Sequence, residues 1–348
     1  MPFAPVDDRG TVLQYEDTGV PNGSAAYKTL ILIHGIQFNA AVFKPLIPFA
    51  APNNLRLVFV NLRSNGGSTP YNDEEIKAVT SGDEEQQAGF VKERVLELSS
   101  FLAWFLEKET IPIPKELGGK REGGFTLHCS CEGCHRAVLD YVYHIILDPP
   151  YPAIGARHPS IEELYNMLLD PKATNEEKAA AWIPKLVGNY SRTGPNTVRA
   201  LSATSLADLP PVQAYFDGIQ TKPDPITWDL ASLDAVMEPP TSFQVFFPLT
   251  VTMPPEFYDA ALEKALTDGY TGSGGVKYFP QTKFEFIACS ESLQEMAWAA
   301  YWVKEKQLRY KAEGKETREF NIHVVEGVSH AWHWLEPENA LKYWANLA

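Results

Sequence analysis

The chain has few cysteines, and their spacing differs from that of a small disulfide-bonded domain. There are four among 348 residues. Cys129, Cys131 and Cys134 lie close together in the chain, and Cys289 is far away. Small secreted domains distribute cysteines to close loops that a small core cannot stabilise, whereas a chain of this length can bury a large apolar core. The spacing therefore indicates reduced thiols with a local role.

Long apolar runs and an excess of basic residues are also missing. No stretch approaches the roughly 18 apolar residues needed to span a bilayer, and residues 1–8 do not resemble a secretory signal. Lys and Arg number 30 against 44 Asp and Glu, a net charge of −14, which repels nucleic-acid phosphates and anionic lipids. We therefore expect a cytoplasmic protein that acts on a small molecule, without nucleic-acid or membrane partners. The oligomeric state stays open.

Short, nearly continuous apolar runs are the dominant pattern. Such runs, ending in turn residues, are typical of strands in a parallel sheet that is covered on both faces. Helical spacing of apolar residues appears at about 84–109, and a helix opening with proline is expected at about 337–347. The predicted strands are Thr29–Ile33, Leu55–Val60, Gly124–Leu127, Val142–Leu147, Lys283–Ala288 and Phe320–Val325. The alternation predicts an α/β protein with a mostly parallel central sheet.

The alternation is interrupted between residues 156 and 272. Helical stretches at Ile161–Leu169 and Asn175–Leu186 precede a proline-bearing segment, and strand signals return after Tyr278. That return favours an insertion over an independent helical domain. We predict a core of residues 1–155 and 273–348, with residues 156–272 forming a mainly helical cap.

Three motifs follow predicted strands. Ile33-His34-Gly35 ends the first, and Gly327-Val328-Ser329-His330 follows the last. Between them, Asn61-Leu62-Arg63-Ser64-Asn65-Gly66-Gly67-Ser68 follows the second. Taken in their order along the chain, the three motifs resemble the α/β-hydrolase superfamily, particularly its cap-bearing esterase, lactonase and epoxide-hydrolase branches. The resemblance implies the α/β-hydrolase fold with a helical cap, no cofactor, and His330 as catalytic base, with His333 as the alternative.

The segment after Gly124–Leu127 carries the candidate nucleophile. Phe125–Cys134 aligns without gaps to the family's strand-to-helix turn, small-x-nucleophile-x-small, and places Cys131 at the nucleophile position. The other register makes Ser130 the nucleophile, but it puts His128 and Glu132 where small side chains are needed. Cys131 is preferred, because a thiolate at a helix N-terminus near a histidine is stabilised and attacks acyl carbon. It resembles the cysteine variant of dienelactone hydrolases.

Two other interpretations of this segment stay open. Only about a dozen residues separate Cys131 from the next predicted strand, fewer than the family's helix and loop, so the turn could be a degenerate, non-catalytic one. The second interpretation is a zinc site, because the segment contains side chains that are soft metal ligands. These ligands are His128, Cys129, Cys131, Cys134 and His135. A distant second ligand pair is missing, and no metal is predicted.

The resemblance also assigns an acid to orient the histidine. The family supplies it just after the strand Lys283–Ala288, where this chain has Ser290 in the expected position and Glu291 one residue further. We choose Glu291. Asp148, after the preceding strand, is the alternative, and it could equally be a turn residue before two prolines.

The resemblance also implies oxyanion donors, which are the backbone N–H groups of Ile36 or Gln37 and of Glu132. The predicted function is an acyl hydrolase that uses a Cys (or Ser)-His mechanism on a small, apolar ester, lactone or thioester. The alternative is a non-hydrolytic member of the fold, such as a ligand-binding protein, an acyltransferase or a cyclase.

Overall fold

The computed structural model of the chain describes residues 1–36, 38–117, 120–128, 142–157, 172, 174, 189–193, 195–217, 219–223, 235–267 and 282–347. Its strands are β1 (Phe3–Pro5), β2 (Val12–Asp17), β3 (Lys28–Ile33), β4 (Leu55–Val60), β5 (Lys115–Leu117), β6 (Lys120–Glu122), β7 (Phe125–His128), β8 (Val142–Leu147), β9 (Asn189–Thr193), β10 (Ile219–Pro223), β11 (Phe284–Cys289) and β12 (Phe320–Val325). Eight of them form one sheet in the order β1-β2-β4-β3-β7-β8-β11-β12.

The sheet is mostly parallel. Strands β4, β3, β7, β8, β11 and β12 run parallel to one another, and β2 pairs antiparallel with β4 and β1 at one edge. All the strands predicted from the sequence belong to this sheet, within a residue at their ends. The predicted α/β class is confirmed.

The helices lie between the strands and at the end of the chain. They are α1 (Ile47–Ala50), α2 (Asp73–Thr80), α3 (Glu84–Lys108), α4 (Pro195–Leu201), α5 (Val212–Asp217), α6 (Pro239–Thr241), α7 (Phe247–Thr252), α8 (Pro255–Leu266), α9 (Gln294–Ala312), α10 (Trp332–Leu335) and α11 (Pro337–Leu347). The predicted helices at 84–109 and 337–347 correspond to α3 and α11. Asp83 caps α3, its side chain accepting a hydrogen bond from the N–H of Gln86.

Both faces of the sheet are buried at β3. Alternate residues of a strand point to opposite sides, and in β3 each set packs into a different apolar cluster. Leu30 and Leu32 of β3 belong to one cluster, which includes Trp344 of α11. Ile31 and Ile33 belong to another, with Phe101 and Phe105 of α3. All of these side chains are at most 5% exposed. The near-continuous apolar strands in the sequence follow from this double burial.

The described part of the predicted cap contains both helices and strands. Helices α4 to α8 lie there, as does an antiparallel pair of β9 and β10, in register Ile219↔Thr193. The sequence did not predict this strand pair. The predicted helices Ile161–Leu169 and Asn175–Leu186 lie outside the described residues, and the boundaries of the cap stay a prediction.

We predict that Phe101→Ala lowers the free energy of unfolding by about 3–5 kcal/mol, because it leaves a cavity in the core. The Phe101 ring is 0% exposed and packs edge-on against Tyr15 at 5.6 Å between ring centroids. Leu96→Ala is the control on the same helix, with the wild-type side chain 43% exposed, and should change stability by less than about 0.5 kcal/mol. Chemical denaturation measures both. Equal losses in the two variants would contradict this packing.

Candidate active site

Polar side chains follow the parallel strands at one edge of the sheet. His34 follows β3, Asn61 follows β4 and Asp148 follows β8. His330 lies on the loop between β12 and α10. Parallel strands end at a common edge, and in open α/β sheets ligands bind outside the carboxyl ends of the strands. This edge is therefore the candidate active site.

His330 and Asp148 form a hydrogen-bonded pair at this edge. Nδ1 of His330 lies 3.2 Å from Oδ2 of Asp148, although 182 positions separate them in the chain. The Asp148 side chain is 2% exposed and that of His330 is 33% exposed. Since a carboxylate accepts hydrogen bonds, Nδ1 of His330 is the donor in this pair, and in the neutral imidazole the lone pair is then on Nε2. A histidine in this state can take a proton from a nucleophile.

The backbone of Asp148 adopts a conformation that is rare for a residue with a side chain. Its φ is 37°, and strained residues of this kind cost about 1–3 kcal/mol and cluster at functional sites. Its N–H donates to the carbonyl of Ile287 at 2.8 Å. Its Oδ1 accepts from the N–H of Cys289 at 3.2 Å, and its Oδ2 accepts from the hydroxyl of Ser292. The carboxylate is thus fixed by the end of β11 and the turn after it.

The loop that carries His330 is tied to the same turn. The N–H of Ser290 donates to the carbonyl of Val325 at 3.0 Å, and that of Glu291 donates to the carbonyl of Val328 at 2.9 Å. In the opposite direction, the N–H of Gly327 donates to the hydroxyl of Ser290 at 2.8 Å. These bonds fix the first part of the loop, at Val325, Gly327 and Val328, and His330 faces Asp148 two residues further on.

The two candidate acids follow neighbouring strands in the order of the sheet, Glu291 in the turn after β11 and Asp148 after the neighbouring strand β8. Glu291, preferred from the sequence, sits in the turn with a partly exposed side chain and contributes the backbone bond to Val328. Asp148, the alternative, is the acid whose carboxylate lies within hydrogen-bond distance of His330. The signal for Asp148 in the sequence was its place directly after the predicted strand Val142–Leu147.

His34 is buried and supports the loop after β3. It is 1% exposed. Its Nε2 accepts from the N–H of Leu62 at 3.1 Å, so the proton is on Nδ1, which donates to the carbonyl of Gly35 at 3.0 Å. Burial lowers the pKa of His34 to about 4. A neutral imidazole therefore joins the loop after β3 to the loop after β4.

The loop at residues 61–68 is held by its own polar groups. Oδ1 of Asn61 accepts from the N–H of Ala40 at 2.7 Å, and Nδ2 of Asn61 donates to Oε1 of Gln14 at 3.1 Å. Gly66 has a φ of 55°, and a Cβ there would lie 2.5 Å from Nδ2 of Asn61. The position therefore requires glycine. Such contacts make this loop a structural support for the loop after β3.

A segment of the predicted cap contacts both loops. The N–H of Asn39 donates to the carbonyl of Val236 at 2.8 Å. Oε1 of Glu238 accepts from the N–H of Gly66 at 3.1 Å and from Nδ2 of Asn39 at 3.3 Å. Thr241 adds a hydroxyl bond to the carbonyl of Ser64 at 2.9 Å. Residues 235–241 therefore cover the loops at this edge of the sheet.

His333, the alternative base in the sequence, points into the apolar core. Its ring lies 5.4 Å from that of Phe43 and 6.1 Å from that of Trp344, between centroids. Burial, followed by the nearby His330, lowers the pKa of His333 to about 3. Its ring nitrogens are buried, and among the described residues they have no hydrogen-bond partner. His333 is a packing residue in this arrangement.

Several predicted site residues lie outside the described residues. These are Gln37, Cys129, Ser130, Cys131, Glu132, Cys134 and His135. Ile36 is described and lies half-buried in the turn after His34 and Gly35. The nucleophile and the oxyanion donors therefore stay predictions. In the described part of the chain no group of three or more His, Cys, Asp or Glu could hold a metal ion. Of the soft ligands in the segment after β7, Cys129, Cys131, Cys134 and His135 lie outside that part.

The strand order, the antiparallel second strand and the histidine loop after the last strand define an α/β-hydrolase fold. The fold that the sequence motifs implied is confirmed. None of the described helices has the length and apolar character needed to cross a bilayer.

Comparisons with known proteins find distant structural similarity alone. The chain matches no protein-family model and no curated protein sequence. Its structure is similar to a bromoperoxidase from Bacillus anthracis, with 12% identity, a TM-score of 0.43 and 98% of each chain covered. It is also similar to epoxide hydrolase A from Mycobacterium thermoresistibile, with 12% identity, a TM-score of 0.48, and 99% of this chain and 97% of that chain covered. The fold assignment rests on the strand order rather than on these alignments.

We predict that stability falls as the pH drops from about 6.5 to 4, partly because of His34. Its folded-state pKa of about 4 lies below the usual histidine value of 6.5, so the unfolded chain binds the proton first and acid favours unfolding. His34→Gln keeps an acceptor for Leu62 without titrating, and its stability should fall less steeply in this window. Denaturant unfolding at several pH values measures the difference between the proteins. Parallel curves for wild type and variant would contradict the assignment of a buried, neutral His34.

Proposed function

We propose that this protein is an acyl hydrolase that uses a nucleophile on the turn after β7, with His330 as general base and Asp148 as the orienting acid. The observation that carries the proposal is the His330–Asp148 pair at the carboxyl edge of the sheet. β7 lies between β3 and β8 in this sheet. The chain therefore leaves β7 beside the strand that leads to Asp148 and the strand that leads to His34.

The proposed mechanism has two steps. The sulfur of Cys131 attacks the acyl carbon while Nε2 of His330 takes the thiol proton and passes it to the leaving oxygen or sulfur, which gives an acyl-thioester. Water then loses a proton to His330 and attacks this thioester, releasing the acid and restoring the thiol. Backbone N–H groups of Ile36 or Gln37, and of Glu132, would hold the oxyanion in both steps. With Ser130 as nucleophile the steps are the same, through an oxygen ester.

The proposed substrates are small esters, lactones or thioesters. Two tryptophans follow His330 in the chain, and Trp332 is 4% exposed and packs against Tyr343, with ring centroids 5.5 Å apart. Trp334 packs against the same core cluster. These two rings support the core, so the choice among acyl groups depends on measured turnover.

We predict that the purified protein hydrolyses short p-nitrophenyl esters and that Cys131→Ala reduces kcat by several orders of magnitude, as for other nucleophile deletions. Ser130→Ala should keep most of the activity, and a thiol alkylator should inactivate the wild type. The thiol of Cys289 should react slowly with the alkylator, because it is 3% exposed and burial raises its pKa.

The remaining outcomes are equally informative. The reverse pattern in the two variants would move the nucleophile to Ser130. A wild type without turnover of esters, lactones or thioesters would contradict the hydrolase and leave a binding protein, an acyltransferase or a cyclase.

We predict that Asp148→Asn lowers kcat/KM by about 10²-fold or more, while Glu291→Gln keeps most of it. An amide nitrogen at residue 148 would donate to Nδ1, which favours the tautomer with the proton on Nε2 and removes the base. Because both variants exchange a carboxylate for an amide on the same sheet edge, each is the control for the other. A large loss in Glu291→Gln with little loss in Asp148→Asn would return the role of the acid to Glu291.

A further inference from the structure

Ser292 is a fully buried serine beside the proposed acid. It is 0% exposed. Its hydroxyl donates to Oδ2 of Asp148, the same oxygen that lies 3.2 Å from Nδ1 of His330. A chain of hydrogen bonds thus runs from Ser292 through Asp148 to the partly exposed ring of His330.

Ser292 does not have the usual role of a serine at this place in a fold. Serine before a helix commonly caps it by accepting a hydrogen bond from the first turn. Helix α9 begins at Gln294, and its N-cap residue, Leu293, makes no side-chain cap bond. The hydroxyl of Ser292 instead points back to Asp148. Its bond therefore serves the acid and not the helix.

The bond from Ser292 is one of two that hold the carboxylate of Asp148. Oδ1 of Asp148 is held by the N–H of Cys289, and Oδ2 is held by Ser292. Two donors from the end of β11 and the turn after it therefore fix the rotation of the carboxylate about its bond to Cβ. The remaining lone pair on Oδ2 then faces Nδ1 of His330, so the direction of the imidazole depends on Ser292.

We propose that Ser292 is a positioning residue that sets the orientation of the Asp148 carboxylate, and through it that of the His330 imidazole. The inference rests on the proposed function, in which His330 is the base. It extends the site to the turn at residues 290–292: Ser290 holds the loop of His330 at Gly327, and Ser292 holds the acid.

The test compares Ser292→Ala with Ser99→Ala. Ser99 is a matched control, because it is 2% exposed and donates its hydroxyl to the carbonyl of Val95 in α3 at 2.9 Å. Ser292→Ala should lower kcat by roughly tenfold through loss of orientation, with little change in KM. The acid limb of its kcat/KM profile should move to higher pH, because Asp148 no longer shares its charge with a hydroxyl and attracts the protonated imidazole more strongly. Ser99→Ala should leave kcat and the profile unchanged.

A second readout does not depend on activity. The Nδ1 proton of His330 gives an NMR signal whose position reports its hydrogen bond to Asp148, and this signal should shift in Ser292→Ala and stay in place in Ser99→Ala. If Ser292→Ala does not fold, Ser292→Cys, which is similar in size and a weak donor, should change both readouts in the same direction.

The outcomes separate the two proposals. An active wild type with an unchanged pH profile and an unchanged His330 signal in the Ser292 variant overturns the positioning role. An inactive wild type overturns the proposed function, and the NMR signal then still shows whether Ser292 orients Asp148 and His330.

Discussion

Burial of the central sheet on both faces is the constraint on which the rest of this structure depends. A parallel strand inside the sheet, such as β3 or β4, is almost completely buried, so its backbone polar groups pair in the ladder and its side chains are mostly apolar. β4 carries one charged side chain, Arg56, which is 2% exposed and is neutralised by Asp17 and Glu109. The polar residues of the candidate site, among them His34, Asn61 and Asp148, lie just past the strand ends.

The strand ends are still largely buried, and polar groups there are fixed by mutual pairing. An unpaired buried donor or acceptor costs about 1–3 kcal/mol, which favours an arrangement in which His34, Asn61 and Asp148 each have defined partners. The loop after β4 is fixed in the same way. Arg63 is 5% exposed and binds Glu75 and Glu97 on helices α2 and α3. The edge is therefore preorganised, which a catalytic site requires.

The same pairing explains how Asp148 can lie where it does. In this chain the turn after β11 carries Ser290, Glu291 and Ser292, and its two serines bond to the histidine loop and to Asp148. The carboxylate reaches His330 from the neighbouring strand, β8, which pairs directly with β11. Adjacent parallel strands end about 4.8 Å apart, so an acid after either one can reach the same imidazole.

The sequence by itself predicted the parts of this protein that depend on local pattern. Strands such as Leu55–Val60 and the helix beginning at Glu84 follow from the periodicity of apolar residues, and His330 follows from its motif after the last strand. The sequence favoured Glu291 over Asp148, whereas the carboxylate of Asp148 lies 3.2 Å from His330. That contact depends on the pairing of β8 with β11 and on the direction of two side chains. The sequence also showed no sign of Ser292 as a partner of Asp148 or of the pairing of β9 with β10. A contact between two residues far apart in the chain does not change the spacing of apolar residues around either of them, so it cannot be read from the sequence pattern. Only the packed sheet brings such residues together.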